Sequence, residues 1–152
     1  MSDKRLPRGD NVLLQMFRTS QATRTLVMQA TEGSGITPDE YAVLSAIGVL
    51  RSTTPTELAT RLGVPPTTIS RYVASFVERR LVERAPNPAD RRSYLLEVTE
   101  DGREVIRKIV PRFRRIVEEL RERVDVDAID AKLVELERAA RAMTGVDVPT
   151  TR

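Results

Sequence analysis

Residues 58–98 read LATRLGVPPTTISRYVASFVERRLVERAPNPADRRSYLLEV, and the order of signals inside them decides the fold. Ala59, Gly63 and Ile69 stand four and then six residues apart. A small residue lets a second helix approach, a glycine supplies the positive φ of a tight turn, and an apolar residue plugs the angle between the two helices. That spacing predicts a helix-turn-helix; on the triplet alone, any helical hairpin of an all-α domain also satisfies it. The second helix begins near Pro66, with Ile69, Val73, Phe76 and Val77 on its inner stripe and Arg80 or Leu81 next in line. At 100° per residue, Thr67, Arg71, Ala74 and Ser75 then face outward, with Thr68 and Ser70 on the flanks. Short hydroxyls and an arginine near a helix N-terminus are groups that reach base edges and phosphates in a major groove; the alternative is a plain solvated face. Glu78 shares that face farther along, where a straight helix has left the groove.

After the helix the period changes. Leu81 to Ala85 and Ser93 to Val98 are short extended runs around the stiff tip Pro86-Asn87-Pro88-Ala89-Asp90, which predicts a β-hairpin with a long loop and with Tyr94, Leu96 and Val98 on one face. Between Pro65 and Leu95 there are six arginines against three acids, so the chain's whole formal excess of +3 is matched by this stretch. Arg91 and Arg92 sit just past the tip, where a guanidinium can enter a minor groove, and Asp90 is placed to orient one of them by an ion pair.

Working outward, Thr37-Pro38-Asp39-Glu40 and Thr54-Pro55-Thr56-Glu57 each combine an N-cap hydroxyl, a proline at the first helical position and a Glu three residues after the cap. Two capping boxes predict helices over Pro38–Leu50, burying Tyr41, Leu44 and Ile47 or Gly48, and from Pro55 to Gly63, packing Leu58, Ala59 and Leu62. A first helix carries Val12, Leu13, Met16, Phe17, Ser20, Leu26 and Val27 and stops at Gly33-Ser34-Gly35. Thr99 caps a long fifth helix with apolar positions from Val105 to Val124, bent at Pro111, and a last helix runs from about Asp127 to Met143 on Ile129, Leu133, Leu136 and Ala140. The tail from Thr144 is expected to fray. The fold class is mainly α with a small β-hairpin wing: a winged helix-turn-helix with N- and C-terminal helical arms.

Composition narrows the function. The 152 residues are 40% hydrophobic, enough for one core, and contain neither Cys nor His. Disulfides, thiol nucleophiles, imidazole acid–base chemistry and the usual zinc ligands are therefore excluded, and no cofactor or metal is implied. An enzyme would need a convergent carboxylate pair, which the spacing does not show. No apolar run is long enough to span a bilayer and no signal-peptide core is present, so a cytoplasmic protein without a membrane partner is expected.

The run Asn87-Pro88-Ala89-Asp90-Arg91-Arg92-Ser93-Tyr94-Leu95-Leu96-Glu97-Val98-Thr99-Glu100-Asp101-Gly102 resembles the wing and following helix start of MarR-type (multiple antibiotic resistance) regulators. Leu58-Ala59-Thr60-Arg61-Leu62-Gly63-Val64, Ile69-Ser70-Arg71, Leu81-Val82-Glu83-Arg84 and Thr37-Pro38-Asp39-Glu40-Tyr41-Ala42-Val43-Leu44 agree with it, and the likeness covers roughly residues 10 to 143. The resemblance implies a single domain over 1–152, with a DNA-binding lobe at 36–99 and a dimerisation region at 9–32 and 100–143. It implies a homodimer on a palindromic double-stranded operator, usually a repressor, with Arg92 of the Asp90–Arg92 pair in the minor groove. The expected DNA-binding set is Pro66, Thr67, Thr68, Ser70, Arg71, Ser75, Asp90, Arg91 and Arg92. Pro65 and Pro66 depart from the family's usual small polar residues and remove a side-chain N-cap. Without Cys or His, peroxide and zinc sensing are excluded; a small lipophilic or phenolic acid remains as effector, expected between the first, second and fifth helices near Met16, Phe17, Tyr41, Leu44 and Phe113, residues that equally suit ordinary core stripes. The rival reading is a winged-helix module that binds another protein, its basic wing merely solvated.

Overall fold

The computed structural model describes residues 11–144. Along the chain these are α1 (Val12–Thr31), α2 (Pro38–Leu50), α3 (Pro55–Leu62), α4 (Pro66–Glu78), β1 (Val82–Pro86), β2 (Tyr94–Val98), α5 (Glu100–Arg121) and α6 (Val126–Thr144). The winged helix-turn-helix order is the one expected; the tail's fraying and the first residues of the N-terminal arm lie outside the described residues.

Local chemistry sets most boundaries. At α2 the capping box is complete: Thr37 Oγ1 accepts from the Glu40 amide at 3.2 Å and Glu40 Oε2 accepts from the Thr37 amide at 2.8 Å. At α3 only half of the expected box forms. Thr54 Oγ1 accepts from the Glu57 amide at 3.2 Å, but the Glu57 carboxylate turns to Thr53 Oγ1 at 3.1 Å and to Arg61. Thr53 is fully buried, and a buried hydroxyl without an acceptor costs about 1–3 kcal/mol, more than a second cap contact contributes. Gly63 closes α3 at φ +66, its amide and that of Val64 returning to Thr60 and Ala59 carbonyls, so the glycine of the turn is required by its backbone.

Leu44, Ile47, Leu58, Ile69, Val73, Phe76, Leu96 and Ile109 are fully buried and draw α2, α3, α4, β2 and α5 into one core. Tyr41 is only half-buried and Gly48 is exposed, so Ile47 closes the α2 stripe. Val77 also departs from expectation, being 36% exposed. α4 stops at Glu78 and the chain reverses through Arg80 at φ +58, with Arg80 N–H donating to Val77 O at 3.0 Å and Leu81 N–H to Phe76 O at 2.8 Å. That turn swings Leu81 inward and leaves Arg80 exposed.

The wing pairs antiparallel from Val82 opposite Val98 to Pro86 opposite Tyr94, each strand starting one residue later than read. Leu96 and Val98 are buried and Tyr94 half-buried on the expected face. Leu96 N–H also donates to Thr53 O at 2.8 Å, tying the hairpin to the α2–α3 connection. Thr99 Oγ1 caps α5 by accepting from Gly102 N–H at 3.1 Å, and the helix continues uninterrupted past the exposed Pro111.

The arms are not covered by this lobe. In α1 only Ala30 and Thr31 are buried, while Leu13 is 74% and Phe17 61% exposed; in α6 Leu133 is 53% exposed. Arg112 of α5 donates to the Ala30 and Glu32 carbonyls at the end of α1, which has no basic residue in its own last turn, as the negative end of a helix favours. Among the described residues no helix is long and apolar enough to cross a membrane.

Candidate nucleic-acid interface

α4 enters through Pro65 and Pro66, and no side chain caps it. The departure costs less than the loss of a cap would suggest, because neither proline has an amide to satisfy and Thr68 N–H already reaches Pro65 O at 2.9 Å. Of the outward residues, Pro66, Thr67, Ser70 and Arg71 are exposed, whereas Thr68 and Ser75 are half-buried. Ser70 Oγ donates to Pro66 O at 3.0 Å and therefore faces outward as an acceptor. The Arg71 guanidinium lies 5.5 Å from the Tyr72 ring centroid, and Tyr72 in turn stacks near Phe76 at 6.3 Å. A cation held on an aromatic face loses less freedom when it meets a phosphate.

The wing tip is built from side-chain-to-backbone turns. Asn87 Oδ1 accepts from Ala89 N–H at 3.0 Å, Asp90 Oδ1 from Arg92 N–H at 2.9 Å, and Asp90 O from Ser93 N–H at 3.0 Å. The expected Asp90–Arg92 ion pair is absent among the described residues; Asp90 holds the amide of Arg92 and not its guanidinium. Two residues apart in a tight turn, the backbone donor lies nearer to the carboxylate than the end of a long side chain does. Asp90, Arg91 and Arg92 are exposed, and among the described residues neither arginine has an acid partner.

Two further residues escaped the sequence reading. Arg84 of β1 stacks 4.7 Å from the Tyr94 ring of β2. Their contact is a cross-strand diagonal, visible only once the register is known. Arg79, counted with the basic residues, is withdrawn from the surface charge: it pairs with Glu40 at 2.9 Å and donates to Gly35 O at 2.6 Å, fastening the end of α4 to the start of α2.

The expected effector residues do not converge. Leu44 is fully buried, Phe17 projects outward, and Met16 lines a groove with Leu136 and Ala140 of α6. Tyr41 stacks on Phe113 at 4.8 Å, and of the five only Tyr41 borders the cavity of about 470 Å³ between α2 and α5. Its walls are Gly48, Val49, Ile106 and Val110; its polar groups are Ser45, Glu100, Arg103 and Arg107. Ser45 Oγ is buried with no hydrogen-bond partner among the described residues. Glu100 is exposed and accepts from Arg103 Nε at 2.9 Å and Arg107 Nη2 at 2.5 Å. The Arg103 hydrogen bond and then the Arg107 charge hold its carboxyl below the usual carboxylate range. Arg103 and Arg107, one helical turn apart, were a signal open to sequence reading; the Ser45 hydroxyl opposite them was not.

Comparison with known proteins agrees with this geometry. Residues 34–93 match the MarR family profile. An HTH-type transcriptional regulator of Mycobacterium bovis is 30% identical over 106 residues, 70% of each chain, and YhbI of Bacillus subtilis, an HTH-type transcriptional regulator, is 27% identical over 76% of this chain and 77% of its own. The Mycobacterium tuberculosis regulator MosR, solved with DNA, is 28% identical with a TM-score of 0.74, over 86% of this chain and 96% of that one. The same lobe, wing and flanking helices are thus shared along most of the length, and the chain belongs to the MarR family of winged helix-turn-helix transcriptional regulators.

Proposed function

We propose that this protein acts in the cytoplasm as a homodimeric repressor that binds a palindromic operator and is released by a small lipophilic or phenolic acid. One observation carries the DNA-binding part: the arginines of the wing and of the α4 face, Arg71, Arg84, Arg91 and Arg92, pair with no acid among the described residues, while aromatic rings hold Arg71 and Arg84 and the Asp90 turn fixes the backbone of Arg92. The DNA complex of MosR supports the same use of the lobe. Residues 1–152 form one functional unit, with the lobe at 36–99 and the arms at 9–32 and 100–143. In the arms, Leu13, Phe17, Ile129 and Leu133 expose apolar surface that a second copy would bury.

Footprinting on DNA flanking the protein's own gene tests the proposal. Two-fold symmetric protection, affinity that falls steeply with salt, and light scattering at twice the 17.1 kDa chain mass are expected. Arg71→Ala should weaken binding by about 1–3 kcal/mol with the thermal transition unchanged. A folded 17.1 kDa species would remove the dimer, and salt-insensitive or absent duplex binding would favour the protein-interaction module. The effector is assigned to the α2–α5 cavity, where Ser45 donates to its polar edge and Arg107 exchanges Glu100 for its carboxylate. Hydroxybenzoates should then release DNA from the wild type but not from Ser45→Val; equal release from both would move the effector elsewhere.

A further inference from the structure

The end of α3 is held from a distant part of the chain. Arg141 of α6 donates from Nη1 to Thr60 O at 3.2 Å and from Nη2 to Arg61 O at 3.1 Å, while its Nε donates to Glu137 Oε1 at 2.8 Å. The side chain is only 19% exposed. Arg61 carries a carbonyl that the helix leaves without an intrahelical donor at its C-terminus, Thr60 O accepts only the long 3.2 Å bond from the Gly63 amide, and the helix dipole also favours a cation there. A planar guanidinium spans two successive carbonyls and still offers Nε to Glu137, whereas an ammonium presents a single point charge. Gly63 makes room for it: a Cβ there would lie 3.2 Å from Arg141 Nη2. The glycine that turns the chain between α3 and α4 therefore also clears the seat of the clasp.

The consequence is geometric. α3 and α4 are the two helices of the helix-turn-helix, and α6 belongs to the arm that exposes Ile129 and Leu133. We propose that Arg141 is a positioning residue that locks the helix-turn-helix against the C-terminal arm, and so fixes the distance and angle between the two recognition helices of the dimer. Arg141 touches no DNA; it acts through the pose of α4. The inference rests on the dimeric DNA-binding reading. Adding one base pair between half-sites rotates one of them by about 34° and moves it by about 3.4 Å, so a lobe locked to its arm follows such a change poorly.

The test uses the full chain, with an operator selected from random duplexes by the wild-type protein and then remade with one or two base pairs added or removed between half-sites. The wild type is expected to show a sharp spacing optimum. Arg141→Ala should lose about three- to tenfold in affinity at that optimum and little more away from it, flattening the profile, with Arg141→Lys in between. Amide exchange at Gly63 and Val64 should quicken in Arg141→Ala while the dimer persists by light scattering. An unchanged spacing profile overturns the positioning role. So does a parallel loss at every spacing with a lowered thermal transition, which is what a merely structural contact produces. Wild-type protein that binds no duplex defeats the DNA-binding reading and the spacing claim with it; unchanged exchange at Gly63 defeats the clasp alone.

Discussion

Gly102→Ala is expected to destabilise the fold by about 3 kcal/mol, although alanine is the better helix former by about 1 kcal/mol. Gly102 lies in the first turn of α5 and is buried. A Cβ there would sit 2.1 Å from Leu81 O and 2.7 Å from Val98 Cγ1. The obstructing atom is backbone, and it is doubly held: Leu81 N–H is bonded to Phe76 O at 2.8 Å and Leu81 O accepts from Thr99 N–H at 3.1 Å. Relief would require α5 to lift from the base of the wing, disturbing the joint between lobe and arm. Overpacking against a fixed carbonyl therefore outweighs the propensity gain. Urea denaturation measures the outcome; a stability equal to or above that of wild type would show that α5 does not approach Leu81 this closely.

The wing supplies the second large effect. Arg92→Ala should cost on the order of 1–3 kcal/mol of operator affinity and weaken the preference for A·T-rich flanks, whose narrow minor groove concentrates negative potential. Because Asp90 accepts from the Arg92 amide at 2.9 Å, the informative partner substitution is Asp90→Asn. Asparagine keeps the accepting oxygen and the turn but removes a negative charge near phosphate, so its affinity should equal or exceed that of wild type. Asp90→Ala loses the turn and should bind less tightly despite the same change in charge, and combined with Arg92→Ala it should cost nothing further. If Asp90→Asn were as damaging as Asp90→Ala, the carboxylate charge would matter and the backbone turn would not. Tighter binding by Asp90→Ala would assign Asp90 no role beyond repulsion.

The exposed residues of α4 and of the wing tip were placed by the sequence because each depends on near neighbours, although the expected Asp90–Arg92 ion pair is replaced by a carboxylate-to-amide turn. Asn87 and Asp90 make turns within three residues, and Thr67 and Arg71 project where the stripe of Ile69, Val73 and Phe76 dictates. The cavity between α2 and α5 was not legible in the same way. Phe113 stacks on Tyr41, which alone of the expected residues borders that cavity, while Ser45 acquires its significance only where α5 crosses α2.

What the sequence by itself determined is the order and extent of the elements, through signals that act within one or two turns: Thr37 with Glu40, Thr54 with Pro55, Gly63 at positive φ, Thr99 with Gly102. Such caps and turns span three or four residues, so the chain forms them from local geometry. Tertiary structure alone decided which of several hydrogen-bond partners each long charged side chain takes. Glu57 left its own cap for the buried Thr53, Arg79 turned back to Glu40, and Arg141 crossed some eighty positions to the end of α3. The physical reason is that a guanidinium or carboxylate on a flexible stem reaches many partners, and burial, which depends on the whole fold, makes one of them cheaper than water.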